Sequence, residues 1–195
     1  MNRALYLLGW GYVAIASAVA FRASRPDIWA EPVDLTPAIF AGTDAGTWFT
    51  SIKPRCNALE VELSLQSSPP PSGWEGAGYA ASCWAVAGRI ERARAVLQEL
   101  PGDQRHAAAS IVFSIGHPIA DMGDDRSAGP IMQLVVEYQP QNYMALYHAG
   151  MSLYATGDFA PARGHLEEFL RQYAIEDGWR SNAQEVLRRL RRGDR

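Results

Sequence analysis

The run Tyr143-Met-Ala-Leu-Tyr-His-Ala-Gly150-Met-Ser-Leu-Tyr154-Ala-Thr-Gly157-Asp158-Phe159-Ala-Pro-Ala162 decides the fold. A small residue, Gly150, stands seven positions before the Gly157-Asp158 turn, and another, Ala162, stands five after it. The same arrangement surrounds Gly123, between Gly116 and Ala128, and Gly88, between Ala81 and Ala93. The turn glycines are spaced 35 and then 34 residues apart, a period expected of stacked helix-turn-helix units. Apolar residues three and four apart give each predicted helix a core-facing stripe, and the small residues let paired helices approach closely. One hairpin cannot bury its stripe alone, so neighbouring hairpins must stack.

These residues resemble the tetratricopeptide repeat family. The third copy carries Leu146, Ala149, Gly150, Leu153 and Tyr154, the Gly157-Asp158 turn, then Ala162, Leu166, Phe169 and Leu170. The middle copy has Val112, Ile115, Gly116, Ile119, Gly123-Asp124, Ala128, Met132, Val135, Val136 and Pro140. The first has Ala77, Ala80, Ala81, Trp84, Gly88, Ala93, Leu97 and Leu100, and stops early at Pro101-Gly102. The expected fold is all-α: a solenoid of three helical hairpins over 74–174. Pro118 departs from the pattern and is expected to kink the first helix of the middle copy. Gly129-Pro130 falls in a first turn, where proline is tolerated. Trp179 to Arg192 reads as an amphipathic capping helix followed by a basic tail, within 175–195.

Before the repeats, Ala4 to Phe21 is an uncharged apolar run behind Arg3. Its length is at the lower limit for a membrane-spanning helix, and its basic start and small residues also suit a secretory signal. Residues 1–23 are therefore expected to be a signal anchor or signal peptide, and the anchor is preferred. The Pro26, Pro32 and Pro37 segment, 24–43, reads as an extended tether. Within 44–73, Asp44 is expected to cap a short helix through Trp48, Phe49 and Ile52, ahead of the Pro-rich loop.

The two cysteines bear on the same stretch. If Pro54 opens a helix running to Gln66, Cys56 lies ten residues before its end and Cys83 nine after Trp74. At about 1.5 Å per residue both stand roughly 14–15 Å from the hairpin loop, so they face each other. A Cys56–Cys83 disulfide is expected on that reading, as in an oxidising compartment. The alternatives are two unpaired buried thiols, or a strand through Leu59, Val61, Leu63 and Leu65 that would carry the cysteines apart.

Little in the sequence points to chemistry. The net charge of −3 and the lack of a basic, aromatic-interleaved stripe argue against nucleic acid. Only Lys53 among 18 basic residues is lysine, which with abundant alanine suggests a GC-rich bacterial genome. No phosphate loop, His-Glu-x-x-His pair or nucleophile elbow is present. His117 and Asp121 are four apart, with Asp124 and Asp125 beyond. A metal site can be drawn there, but a solvated turn is the preferred reading, with Pro118 disturbing the spacing and no second histidine. No cofactor is expected.

The resemblance implies that the first helix of each repeat lines an inner face. That face collects Tyr79 and Ser82, then Phe113, Ser114 and His117, then Met144, Tyr147, His148, Met151 and Tyr154. This is an aromatic and methionine surface of interface-like composition. Some of these residues are equally suited to packing against the N-terminal segment or the capping helix. The lysine, arginine and asparagine clamp used by chaperone-tail-binding relatives falls on Gly78, Ser82, Ser114, Met144 and His148, so that ligand is not implied. The functional expectation is a non-enzymatic protein-interaction scaffold. It would be an accessory subunit or assembly factor of a bacterial membrane or envelope complex, tethered through residues 4–21 with its domain in the periplasm. A cytoplasmic-facing domain on the same anchor is the alternative orientation. A secreted soluble binding module is the alternative, and a metal-dependent enzyme using His117 and Asp121 is a further one.

Overall fold

The turn glycines do what their spacing demands. Gly88, Gly123 and Gly157 take φ of 74°, 88° and 89°, the left-handed region that lets the chain reverse tightly after a helix. Each separates the two helices of one hairpin. The computed structural model describes residues 44–193, and these are helical with no strand among them.

In chain order the helices are α1 (Asp44–Ile52), α2 (Val61–Ser67), α3 (Trp74–Val86), α4 (Ile90–Gln98), α5 (Gly102–Asp121), α6 (Asp125–Tyr138), α7 (Tyr143–Thr156), α8 (Phe159–Gln172) and α9 (Gly178–Arg192). A 3-10 turn, Lys53–Arg55, follows α1. The hairpins α3–α4, α5–α6 and α7–α8 are the three expected repeats. They stack through α3 on α5 and α6 on α7, with α9 laid against α8.

Where helices cross, the small residues leave no room for anything larger. A Cβ added to Gly116 would stand 2.7 Å from Ile131 Cγ2, and one on Gly150 would stand 2.7 Å from Leu166 Cγ. The tightest place joins two repeats: a Cβ on Gly129 of α6 would lie 2.3 Å from Ser152 Cβ on α7. Gly129→Ala is therefore expected to lower stability by about 1–3 kcal/mol, outweighing its gain in helix propensity. Adding Ser152→Gly should return part of the loss, read from urea unfolding of the single and double variants.

Caps settle the helix ends. Asp124, Asn142 and Asp177 accept hydrogen bonds from Ser127 N, Ala145 N and Arg180 N at the starts of α6, α7 and α9. The early end of the first repeat is satisfied from its neighbour. The Arg105 guanidinium donates to the carbonyls of Leu97, Gln98 and Leu100 at 3.2, 3.0 and 2.9 Å. Arg94 of α4 adds a two-pronged contact to Glu137 of α6, at 2.8 and 2.7 Å.

One local expectation is corrected, that of a helix from Pro54 to Gln66. Pro118, by contrast, falls inside α5, which stays helical from Gly102 to Asp121. It lies in the helix's last turn, and Met122 N still bonds to its carbonyl. The proposed helix from Pro54 to Gln66 is broken between Cys56 and Glu60. There the Asn57 side chain accepts hydrogen bonds from Leu59 N and Glu60 N, forming a tight turn before α2. The strand alternative is also excluded. Val61 and Leu65 are buried four apart on one face of α2, while Leu59 and Leu63 are exposed.

The Cys56–Cys83 disulfide is present, with Cα atoms 4.8 Å apart. It pins the turn after α1 to the last turn of α3. Around it, Phe49 and Ile52 of α1 meet Tyr79 of α3 in a core shared with Ile111 and Ile115 of α5. The Phe49 and Tyr79 rings stack at 4.9 Å. The capping helix buries Ala183, Val186, Leu187 and Leu190, as its pattern requires. The expected anchor at 4–21 and the tether at 24–43 lie outside the described residues. No described helix is long and apolar enough to cross a membrane.

Candidate functional site: the first-helix face and a histidine–aspartate cluster

The expected binding residues divide by burial. Tyr79, Ser82, Tyr147 and His148 are buried. Phe113, Ser114, His117, Met144, Met151 and Tyr154 are half-buried. Tyr79 is covered by α1. Tyr147 is enclosed by Phe169 and Trp179, with ring centroids 5.1 and 5.0 Å away, and its hydroxyl accepts from Asn182 at 3.4 Å. Both flanking helices thus pack onto the ends of the face. What stays partly accessible is a ridge from Phe113 on α5 to Met144, Met151 and Tyr154 on α7, of which Met151 and Tyr154 also pack against the α8–α9 cluster.

Beside that ridge α5, α6 and α7 bring four polar side chains together. His117 Nδ1 is 3.5 Å from Asp121 Oδ2, across one helical turn of α5. His148 of α7 points into the same place, with Nε2 3.6 Å from Asp121 Oδ1 and Nδ1 3.1 Å from Asp125 Oδ1. The His117 and His148 rings meet edge-on at 5.2 Å. Phe113 stacks on His117 at 4.7 Å, and Trp179 covers His148 at 5.3 Å. Burial, the largest influence, holds the His117 imidazole below its ordinary pKa; Asp121 opposes this and His148 reinforces it. His117 is thereby biased to the neutral form near pH 7.

The sequence reading missed the second histidine. In repeat register His117 corresponds to Met151, and His148 lies three residues earlier, one turn away on the same face. That register was a usable signal. The unbroken α5 likewise restores the His117–Asp121 spacing that Pro118 was expected to spoil. A separate apolar groove lies under the Pro-rich loop, between Pro70, Pro71, Ala77, Trp84, Val96 and Leu100. It is remote in sequence from the cluster.

The architecture is that of a helical-hairpin repeat protein. Residues 144–174, which span α7 and α8, match the family model of the tetratricopeptide repeat. No curated protein and no solved structure matches the chain. Such a repeat points to a protein-interaction scaffold.

Proposed function

We propose that this chain is a non-enzymatic scaffold, an accessory subunit or assembly factor of a bacterial membrane or envelope complex. Its N-terminal apolar run tethers it at the outer face of the inner membrane, and its partner is a protein docked on the first-helix ridge. The observation that carries the reading is the match to a tetratricopeptide repeat at 144–174, a stretch whose first helix presents Met144, Met151 and Tyr154 as half-buried apolar and aromatic groups. Such groups supply most of the energy at interface centres. The Cys56–Cys83 bond supports placement in an oxidising compartment, and a membrane tether raises the effective concentration of nearby partners.

The experiment is site-specific photo-crosslinking in native membranes, with the crosslinker at Met151 and, as a control, at the exposed Glu167 of α8. Capture is expected at Met151 and not at Glu167, and Tyr154→Ala should weaken it at least about tenfold, as for a hot-spot aromatic. Equal capture at the two positions, or undiminished capture in Tyr154→Ala, defeats the assignment of the face. Extraction by alkaline carbonate tests the tether separately: release into the supernatant would favour a secreted module.

A further inference from the structure

We infer that His117, Asp121 and His148 form a binding site for a divalent first-row transition metal ion, with zinc the best fit, joining the second and third repeats. One donor atom from each of the three lies within 4.8 Å of the other two. The contacts of Asp121 with His117 and His148, at 3.5 and 3.6 Å, are too long for good hydrogen bonds. They are made by different oxygens of Asp121, Oδ2 towards His117 and Oδ1 towards His148, so both imidazoles lean on one carboxylate. Two imidazoles with a carboxylate are a donor set that suits zinc. Two ligands on a tetrahedral zinc ion stand roughly 3.3–3.4 Å apart, so ligation would draw the widest pair together by about 1.4 Å.

A second observation points the same way. His148 is 2% exposed, and its Nε2, aimed into the cluster, has no hydrogen-bond partner among the described residues. A buried imidazole nitrogen without a partner is costly unless something binds it. Its other nitrogen is already engaged: Nδ1 meets Asp125 Oδ1 at 3.1 Å. A carboxylate on one imidazole nitrogen fixes the ring and raises the basicity of the other, the arrangement that supports metal-bound histidines. The turn between α5 and α6 therefore supplies Asp121 as a ligand and Asp125 as the support of His148.

Three protein ligands leave a tetrahedral ion one open position. Asp121, with its side chain 43% exposed, marks the side open to solvent. That position can take water or a donor from a bound molecule. The inference stands apart from protein binding on the ridge, and either can fail without the other.

The test uses the full-length purified chain, freed of affinity tags and stripped with chelator, then titrated with Co2+ and Zn2+. Co2+ should bind at one ion per chain with the intense visible absorption of a tetrahedral site, and Zn2+ should displace it. Zn2+ should also raise the melting temperature, because it binds only the folded arrangement. Asp121→Asn, at a half-exposed position, should remove the absorption and the thermal shift while leaving the helical circular dichroism unchanged. Asp125→Asn should weaken binding by about 10–100-fold. No stoichiometric Co2+ binding by the wild type overturns the inference. So does binding that survives undiminished in folded Asp121→Asn.

Discussion

Phe169→Ala is expected to lower the stability of the domain by about 3–5 kcal/mol, the range for removing a large aromatic from a packed core. Phe169 of α8 is completely buried and lies where three helices meet. Its ring is 5.1 Å from Tyr147 of α7 and stacks at 5.0 Å on Tyr173, and Tyr147 in turn carries Trp179 of α9. Each aromatic pair adds about 0.5–1.5 kcal/mol beyond burial. The capping helix also packs Ala183, Val186, Leu187 and Leu190 into the same cluster; Arg180 reaches the Leu170 carbonyl at 3.2 Å, and the Arg163 guanidinium reaches Leu190 O at 3.4 Å. Urea unfolding should show the loss, and hydrogen exchange should show α9 losing protection before α5 and α6. Phe169→Leu, which refills most of the volume, should recover more than half of the loss. If Phe169→Ala lowers stability by less than about 1 kcal/mol, the three-helix cluster is not what holds the cap.

The repeat was legible because its signals are local. Gly88, Gly123 and Gly157 mark turns, and Gly116 and Gly150 mark crossings; both meanings follow from the absence of a Cβ. The capping helix was legible from its apolar stripe; the structure adds Asp177 and Gly193 as its caps. The stretch from Cys56 to Glu60 was not, because apolar spacing alone suits a longer helix. The decisive signal was Asn57 with Glu60 three residues on, a pair whose side chains bond to each other at 2.7 Å and close the turn.

The site was less legible, since it depends on how separate helices meet. His117 and Asp121 share one helix and could be paired from the sequence, but His148 joins them only through the stacking of α7 against α6. Burial along the face was equally a matter of packing. Tyr79 and Tyr147 occupy similar places in the repeat pattern to the accessible residues, yet α1 and α9 cover them. A solenoid must close its two ends, and large aromatics on the face are natural seats for the closing helices.

Removing the disulfide, by reduction or by Cys56→Ala with Cys83→Ala, is expected to lower stability by about 3.5 kcal/mol. The bond closes a loop with a sequence separation of 27, and the chain-entropy argument gives that magnitude for such a loop. For a domain of this size the melting temperature should fall by about 10 °C. The loss should be uneven. The seven-residue α2 is too short to persist by itself, and it packs inward chiefly through Val61 and Leu65. Hydrogen exchange should therefore show α1, α2 and the turn at Asn57 opening first on reduction, while α5 to α8 remain protected. The same bond connects structure to the proposed location. Chain produced without export in a reducing cytoplasm should carry two free thiols and melt at the lower temperature, and exported chain should carry none. Identical melting of the oxidised and reduced forms would mean that Phe49, Ile52 and Tyr79 hold the N-terminal end of the stack by packing alone, and the support that the disulfide gives to an oxidising compartment would go with it.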